Sequence, residues 1–121
     1  MKTALVIEDN EDNRVLITRL LGKYGYQTIE AVTGSEGVAM AISQTPDFVL
    51  LDIQLPDIDG TEVLRQIRQA GSDVPIIAMT SFAMAGDREK LLAAGCNGYI
   101  EKPIDPERVI AQITQVLDET A

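Results

Sequence analysis

The stretch Phe48-Val49-Leu50-Leu51-Asp52 limits the fold more than any other part of this chain. Four apolar residues run into a single acid, with Pro46-Asp47 before them and Pro56-Asp57-Ile58-Asp59-Gly60 after. A short apolar run between such turn signals reads as a strand buried on both faces. Asp52 then stands where the strand leaves the core. Taken alone, an acid at a strand end is an ordinary surface group. Here the other strands end in a similar way.

Thr3-Ala4-Leu5-Val6-Ile7 is a short apolar strand that stops at Glu8-Asp9. Asp9 or Asn10 can cap a following helix, whose apolar face carries Leu16, Ile17, Leu20, Leu21 and Tyr24. Gly22 and Gly25 mark its end. Residues 26–31 form a second strand of weaker pattern, and Thr33-Gly34 opens a helix with Val38, Ala41 and Ile42 inward. After the central strand, a third helix from about Thr61 to Ala70 turns Val63, Leu64 and Ile67 inward, and Gly71 ends it. Ile76-Ile77-Ala78-Met79 is the fourth strand and ends at Thr80-Ser81. A fourth helix follows, its start left open by Gly86; Leu91 and Leu92 face inward and Gly95 caps it. Gly98-Tyr99-Ile100 is the fifth strand, followed by Glu101-Lys102-Pro103. Asp105-Pro106-Glu107 starts a last helix that buries Val109, Ile110, Ile113, Val116 and Leu117.

Strands alternating with helices predict an α/β fold, a doubly wound parallel sheet covered on both faces. Its 121 residues suit one domain, residues 1–121, with no linker or repeat. Function in such a sheet gathers outside the carboxyl ends of the strands.

Composition removes several alternatives. A net charge of −9 argues against nucleic acid and against an anionic membrane surface as partners. The chain has no histidine, which excludes a histidine triad or histidine metal site of its own. The single cysteine, Cys96, allows no internal disulfide and reads as a small buried residue rather than a reactive thiol. No signal peptide and no long apolar run is visible, which predicts a cytoplasmic location.

The strand ends supply Glu8 and Asp9, then Asp52, then Thr80 and Ser81, then Lys102. If strands one and three are neighbours, three carboxylates converge. Like charges that close repel unless a cation intervenes, and Mg²⁺ suits a few carboxylates plus water. Lys102 brings a fixed positive charge and Thr80 a hydroxyl donor. Together they suit a phosphoryl group on Asp52, since a carboxylate can act as nucleophile toward phosphorus.

These motifs resemble the response-regulator receiver family, with its CheY-like fold, over essentially the whole chain. They are Val6-Ile7-Glu8-Asp9-Asn10, Leu51-Asp52-Ile53-Gln54-Leu55-Pro56 with Asp59-Gly60, Ala78-Met79-Thr80-Ser81 and Lys102-Pro103. Residues 80–87, with Gly95-Cys96 and Lys102-Pro103-Ile104, are also similar to stand-alone receivers of the DivK type and to receivers attached to hybrid sensor kinases. The resemblance implies a five-stranded sheet in the order 2-1-3-4-5. It implies Asp52 as phosphoacceptor, and Glu8, Asp9 and Asp52 with the Gln54 carbonyl as Mg²⁺ ligands. Lys102, joined to Pro103 by a cis bond, would contact the phosphoryl group. Thr80 would be the switch hydroxyl and Tyr99 the switch aromatic, coupled to the face of helix four, strand five and helix five. Gln54 and Phe82 match positions that tune phosphoryl lifetime.

The implied partners are a sensor histidine kinase or histidine phosphotransfer protein, and a downstream protein target. The donor would dock near Asn13, Arg14, Ile17 and Ile104. Helix five is expected to stop three or four residues before the chain does, with no output domain after it. That suits a single-domain regulator or an excised receiver, and either a monomer or a weak dimer. No enzyme turnover is expected beyond self-phosphorylation and autodephosphorylation. A haloacid-dehalogenase-like phosphatase would need a second acid two residues after the nucleophile, where this chain has Gln54. A flavin-binding flavodoxin-like domain would need a phosphate loop where this chain has Glu8-Asp9, the wrong charge. A scaffold that is never phosphorylated is opposed only by the intact motif.

Overall fold

The computed structural model describes residues 2–81 and 85–120, with side chains set aside for 85–88. Five strands alternate with five helices. In order they are β1 (Thr3–Ile7), α1 (Glu11–Lys23), β2 (Gln27–Ala31), α2 (Gly34–Ser43), β3 (Phe48–Asp52), α3 (Gly60–Gln69), β4 (Ile76–Thr80), α4 (Ala85–Ala94), β5 (Gly98–Glu101) and α5 (Val109–Thr120). All pairings are parallel, and the sheet order is β2-β1-β3-β4-β5.

Side chains alternate across a strand, and here both sets are buried. Val49 and Leu51 of β3 join Leu5, Ile7, Ile76 and Ala78 in one core layer, with Val63, Leu64 and Ile67 of α3. Phe48 and Leu50 join Ala4, Val6, Ile77 and Met79 in the other, with Ile17 and Leu21 of α1 and Val109 and Ile113 of α5. Each large apolar side chain removed from water in this way contributes about 1.5–3 kcal/mol. That two-sided burial is why β3 is apolar throughout and not alternating. In the second layer, the Tyr26 ring meets Phe48 edge to face, with centroids 5.5 Å apart.

The ends of the helices follow local chemistry. Asn10 caps α1 by accepting the Asn13 N–H, and Thr33 caps α2 by accepting the Glu36 N–H. Asp59 caps α3, accepting the Thr61 N–H at 2.8 Å. Gly95 ends α4 at φ +115°, a left-handed conformation that glycine adopts without a side-chain clash. Cys96 is buried as expected, and burial pushes its thiol pKa up.

Several details differ from the sequence reading. Tyr24, Ile42 and Leu92 are exposed, not inward. Tyr24 is the residue capping the end of α1, where the helical face no longer applies. Leu92 follows Leu91, and a helix turns about 100° per residue, so only Leu91 reaches the core. Gly22 and Gly25 do flank the end of α1, Gly22 in its last turn and Gly25 just beyond the Tyr24 cap at φ +89°. Residues 105–108 form a hydrogen-bonded turn before α5, with the Arg108 and Val109 N–H groups donating to the Asp105 carbonyl at 3.0 and 2.9 Å. The helix itself begins at Val109 and runs to Thr120, further than expected. Ile110, Val116 and Leu117 pack at the rim of the core, partly buried.

Candidate functional site

Strand register brings the polar residues together. Ile7 pairs with Leu51, so the next residues, Glu8 and Asp52, leave the sheet side by side. Asp52 pairs with Met79 and Thr80 with Glu101, which sets Thr80 and Lys102 along the same edge. The Lys102 N–H donates to the Thr80 carbonyl at 2.8 Å. Lys102–Pro103 is cis, as the resemblance implies.

At this edge Glu8 is 0% exposed, Thr80 1% and Asp52 2%. The Lys102 ammonium stands 2.9 Å from Asp52 Oδ1 and 3.6 Å from Glu8 Oε2. Asp52 Oδ1 also accepts the Gln54 N–H at 3.0 Å. One carboxylate oxygen from each of Glu8, Asp9 and Asp52 lies within 4.8 Å of the others. Two buried acids beside a third, exposed one, with Lys102 as the cation paired with both, leave net negative charge in a cleft. Burial, reinforced by the neighbouring Asp52 carboxylate and opposed by Asn13 and Lys102, pushes the Glu8 pKa up to about 7. Glu8 Oε2 is buried and makes no hydrogen bond with any described residue. Such an atom costs free energy unless a ligand satisfies it, and an all-oxygen donor set of this charge fits a hard divalent cation such as Mg²⁺.

Around this centre, Asn13 Nδ2 donates to Glu8 Oε1 at 2.9 Å. Arg14 Nη1 donates to the Glu8 and Asp9 carbonyls at 3.0 and 3.4 Å, and Arg14 Nε stands 3.5 Å from Glu30 Oε1. Ser81 Oγ donates to Gln54 Oε1 at 3.2 Å across the mouth of the site. Tyr99 lies at the other face of β5, half-buried against the core and bordering a cavity of about 500 Å³ with Leu92, Gln112 and Val116. Phe82 lies outside the described residues.

The docking assignment needs one correction. Ile17 is 2% exposed and packs in the core with Leu21, one helical turn on, so it presents nothing to a partner. Leu16, one position earlier, lines the groove beside Lys102 instead, together with Asn13, Ser81, Pro103 and Ile104. The sequence reading placed both Leu16 and Ile17 on one apolar face and did not separate them. It also missed the inward contact of Asn13. The signal was available: Asn13 lies three residues after the cap Asn10, a spacing that returns its side chain to the strand end.

Comparison with known proteins agrees with this geometry. Residues 4–114 match the family model for the response regulator receiver domain. The polar-differentiation response regulator DivK of Brucella anthropi is 39% identical over 120 residues, 98% of each chain. A CheY-like receiver domain protein from Methanospirillum hungatei JF-1 superposes with a TM-score of 0.90 at 30% identity, covering 99% of this chain and 96% of that one. The receiver domain of sensor histidine kinase PA1611 from Pseudomonas aeruginosa PAO1 is 35% identical, with a TM-score of 0.86 over 97% of this chain and 98% of that one. That structure has a magnesium ion coordinated in its active-site cleft. On its fold, on its strand-end acids with their lysine, and on these matches, the chain belongs to the response regulator receiver domain family of two-component signalling.

Proposed function

We propose that Asp52 is the phosphoacceptor of this receiver and that Glu8, Asp9 and Asp52, with the Gln54 carbonyl, hold Mg²⁺. The observation that carries the reading is the buried Asp52 carboxylate, 2.9 Å from the Lys102 ammonium and within 4.8 Å of two further acids. The magnesium-bound relative supports it. When bound, Mg²⁺ offsets the charge of the acids and draws electron density from the transferring phosphoryl group.

The chain's own residues do the rest. Asp52 attacks phosphorus of a phosphohistidine; an O–P bond forms, the N–P bond breaks, and the leaving imidazole takes the electron pair and then a proton. The Gln54 N–H and Lys102 orient the Asp52 carboxylate before attack. Lys102 and the buried Thr80 then hydrogen-bond the phosphoryl oxygens. Phosphorylation replaces the single negative charge of the Asp52 carboxylate with a phosphoryl group carrying about −1.5 to −2, and brings three acceptor oxygens to this edge. Thr80, at the end of β4, and Tyr99, on adjacent β5, carry that change to the α4–β5–α5 face and shift its population.

The donor, a sensor kinase or phosphotransfer protein, docks over the groove of Asn13, Leu16, Pro103 and Ile104, beside Lys102. A downstream protein reads the switch face. A cytoplasmic location belongs to the same proposal; among the described residues, no helix is long and apolar enough to cross a membrane.

Intact mass after incubation with acetyl phosphate tests the reading. A gain of about 80 Da, one phosphoryl group, is expected with Mg²⁺ for the native chain. It is expected to vanish without Mg²⁺ and in Asp52→Asn. An equal gain in Asp52→Asn would overturn the assignment.

A further inference from the structure

The two oxygens of Glu8 have unlike surroundings. Oε1 accepts from Asn13 Nδ2 at 2.9 Å. Oε2 is buried without a hydrogen bond to any described residue, and the Lys102 ammonium is 3.6 Å away. Asn13 turns its NH₂ toward this oxygen, the arrangement that suits the ionised, accepting carboxylate a metal ligand must be. Asn13 is itself fixed, because its backbone N–H donates to Asn10 Oδ1 at 3.0 Å in the first turn of α1. The next residue, Arg14, grips the backbone carbonyls of Glu8 and Asp9. Two consecutive side chains of one helical turn therefore hold the acid pair, one by carboxylate and one by main chain.

We propose that Asn13 is a positioning residue for the divalent cation: by occupying Glu8 Oε1 it holds the carboxylate in the orientation that leaves Oε2 for the ion. This rests on the reading that Glu8, Asp9 and Asp52 hold Mg²⁺. It gives Asn13 an inward task that a docking surface does not require, since a docking contact has no need of an amide aimed at a buried acid. A side chain that orients a metal ligand in this way typically changes metal affinity by about 10–100-fold when it is lost.

The test is a Mg²⁺ titration of the whole chain, followed by the NMR shifts of the Ile53 and Gln54 amides. The native chain is compared with Asn13→Leu, which keeps the shape and loses the donor, and Asn13→Gln, which keeps the donor. Neither substitution removes the backbone bond to Asn10. Asn13→Leu is expected to bind Mg²⁺ about 10–100-fold more weakly, and Asn13→Gln to recover part of that loss. Asn13→Ala, which also lacks a side-chain donor, is read in the same way if the leucine variant does not fold. Urea midpoints without metal are measured alongside, because a purely structural role would move those and leave affinity unchanged. Native affinity in Asn13→Leu, with Mg²⁺ bound normally by the native chain, overturns the inference alone. Failure of the native chain to bind Mg²⁺ overturns the metal reading and the inference together.

Discussion

Gly60 closes the loop that carries the residues after Asp52, and replacing it with alanine tests how tightly that loop is built. Gly60 is the first residue of α3, and its N–H donates to the Ile53 carbonyl at 3.1 Å. A Cβ there would lie 2.6 Å from the Ile53 backbone at Cα and 2.7 Å from the tip of its side chain at Cδ1. Restoring an ordinary carbon–carbon separation of about 3.5 Å from 2.6 Å means a backbone movement of about 1 Å. A rotamer change could relieve the clash with the side chain, but not the clash with the backbone. Overpacking of this kind costs about 1–3 kcal/mol. The opposing gain, alanine over glycine in a helix, is at most about 1 kcal/mol and smaller at a first helical position. The steric effect therefore wins, with a net loss of about 1–2 kcal/mol.

Gly22, inside α1 with nothing within 4 Å of its would-be Cβ, provides the matched control. Gly22→Ala is expected to stabilise by about 0.4–1 kcal/mol. Urea unfolding followed by far-ultraviolet circular dichroism reads both, at an m-value of about 1–3 kcal/mol per molar. The midpoint should fall for Gly60→Ala and rise for Gly22→Ala at unchanged slope. Movement at Ile53 also reaches the Gln54 N–H on Asp52, so phosphorylation of Gly60→Ala by acetyl phosphate should slow. A Gly60→Ala midpoint equal to or above the native one would refute the close approach.

Three further outcomes follow from the same interactions. Mg²⁺ should stabilise the native chain by about 2.7 kcal/mol at a hundred times its dissociation constant, and Asp9→Asn, which lacks one exposed ligand, should lose most of that gain in urea midpoints. Asp57 accepts the Gly34 and Ser35 N–H groups and the Ser35 hydroxyl at 2.8, 3.0 and 2.8 Å, which holds its carboxyl well below the usual range. A depressed acid stabilises the fold above its unfolded pKa of 3.8 and loses that contribution as pH falls toward the folded value. Native and Asp57→Asn midpoints should thus differ most at neutral pH and converge in acid; a gap that widens in acid would contradict this. Arg68 donates to the Gly95, Ser72 and Val74 carbonyls and to Asn97 Oδ1, tying α3 to the turns that lead into β4 and β5. Lysine cannot reproduce that fork, so Arg68→Lys should cost about 2 kcal/mol in the same assay.

The fold was legible because each core strand is a two-sided apolar run. Phe48, Val49, Leu50 and Leu51 could not sit anywhere but between two helical layers, and the acid after them had to mark the sheet edge. The site was legible because Glu8, Asp52, Thr80 and Lys102 all occupy strand ends, and the parallel register does the gathering. The face of a helix was harder to read. Leu16 and Ile17, or Leu91 and Leu92, are equally apolar, and only packing decides which of each pair is buried. Asn13 was misjudged for a related reason. A polar residue on an amphipathic helix reads as solvent-facing, and the partner that draws it inward, buried Glu8, is itself unexpected from its charge. Asp57 gave no sequence signal beyond a turn residue, because its hydrogen-bonding partners lie 22 and 23 positions away in the chain.

The most direct test of the central claim is to locate the phosphoryl group chemically. Borohydride reduces an acyl phosphate to an alcohol, which turns the modified aspartate into homoserine. Peptide mass mapping after acetyl phosphate, Mg²⁺ and borohydride should find homoserine at position 52. Homoserine at Asp9, Asp57 or Asp59, or a phosphorylated chain with position 52 unchanged, would contradict the account.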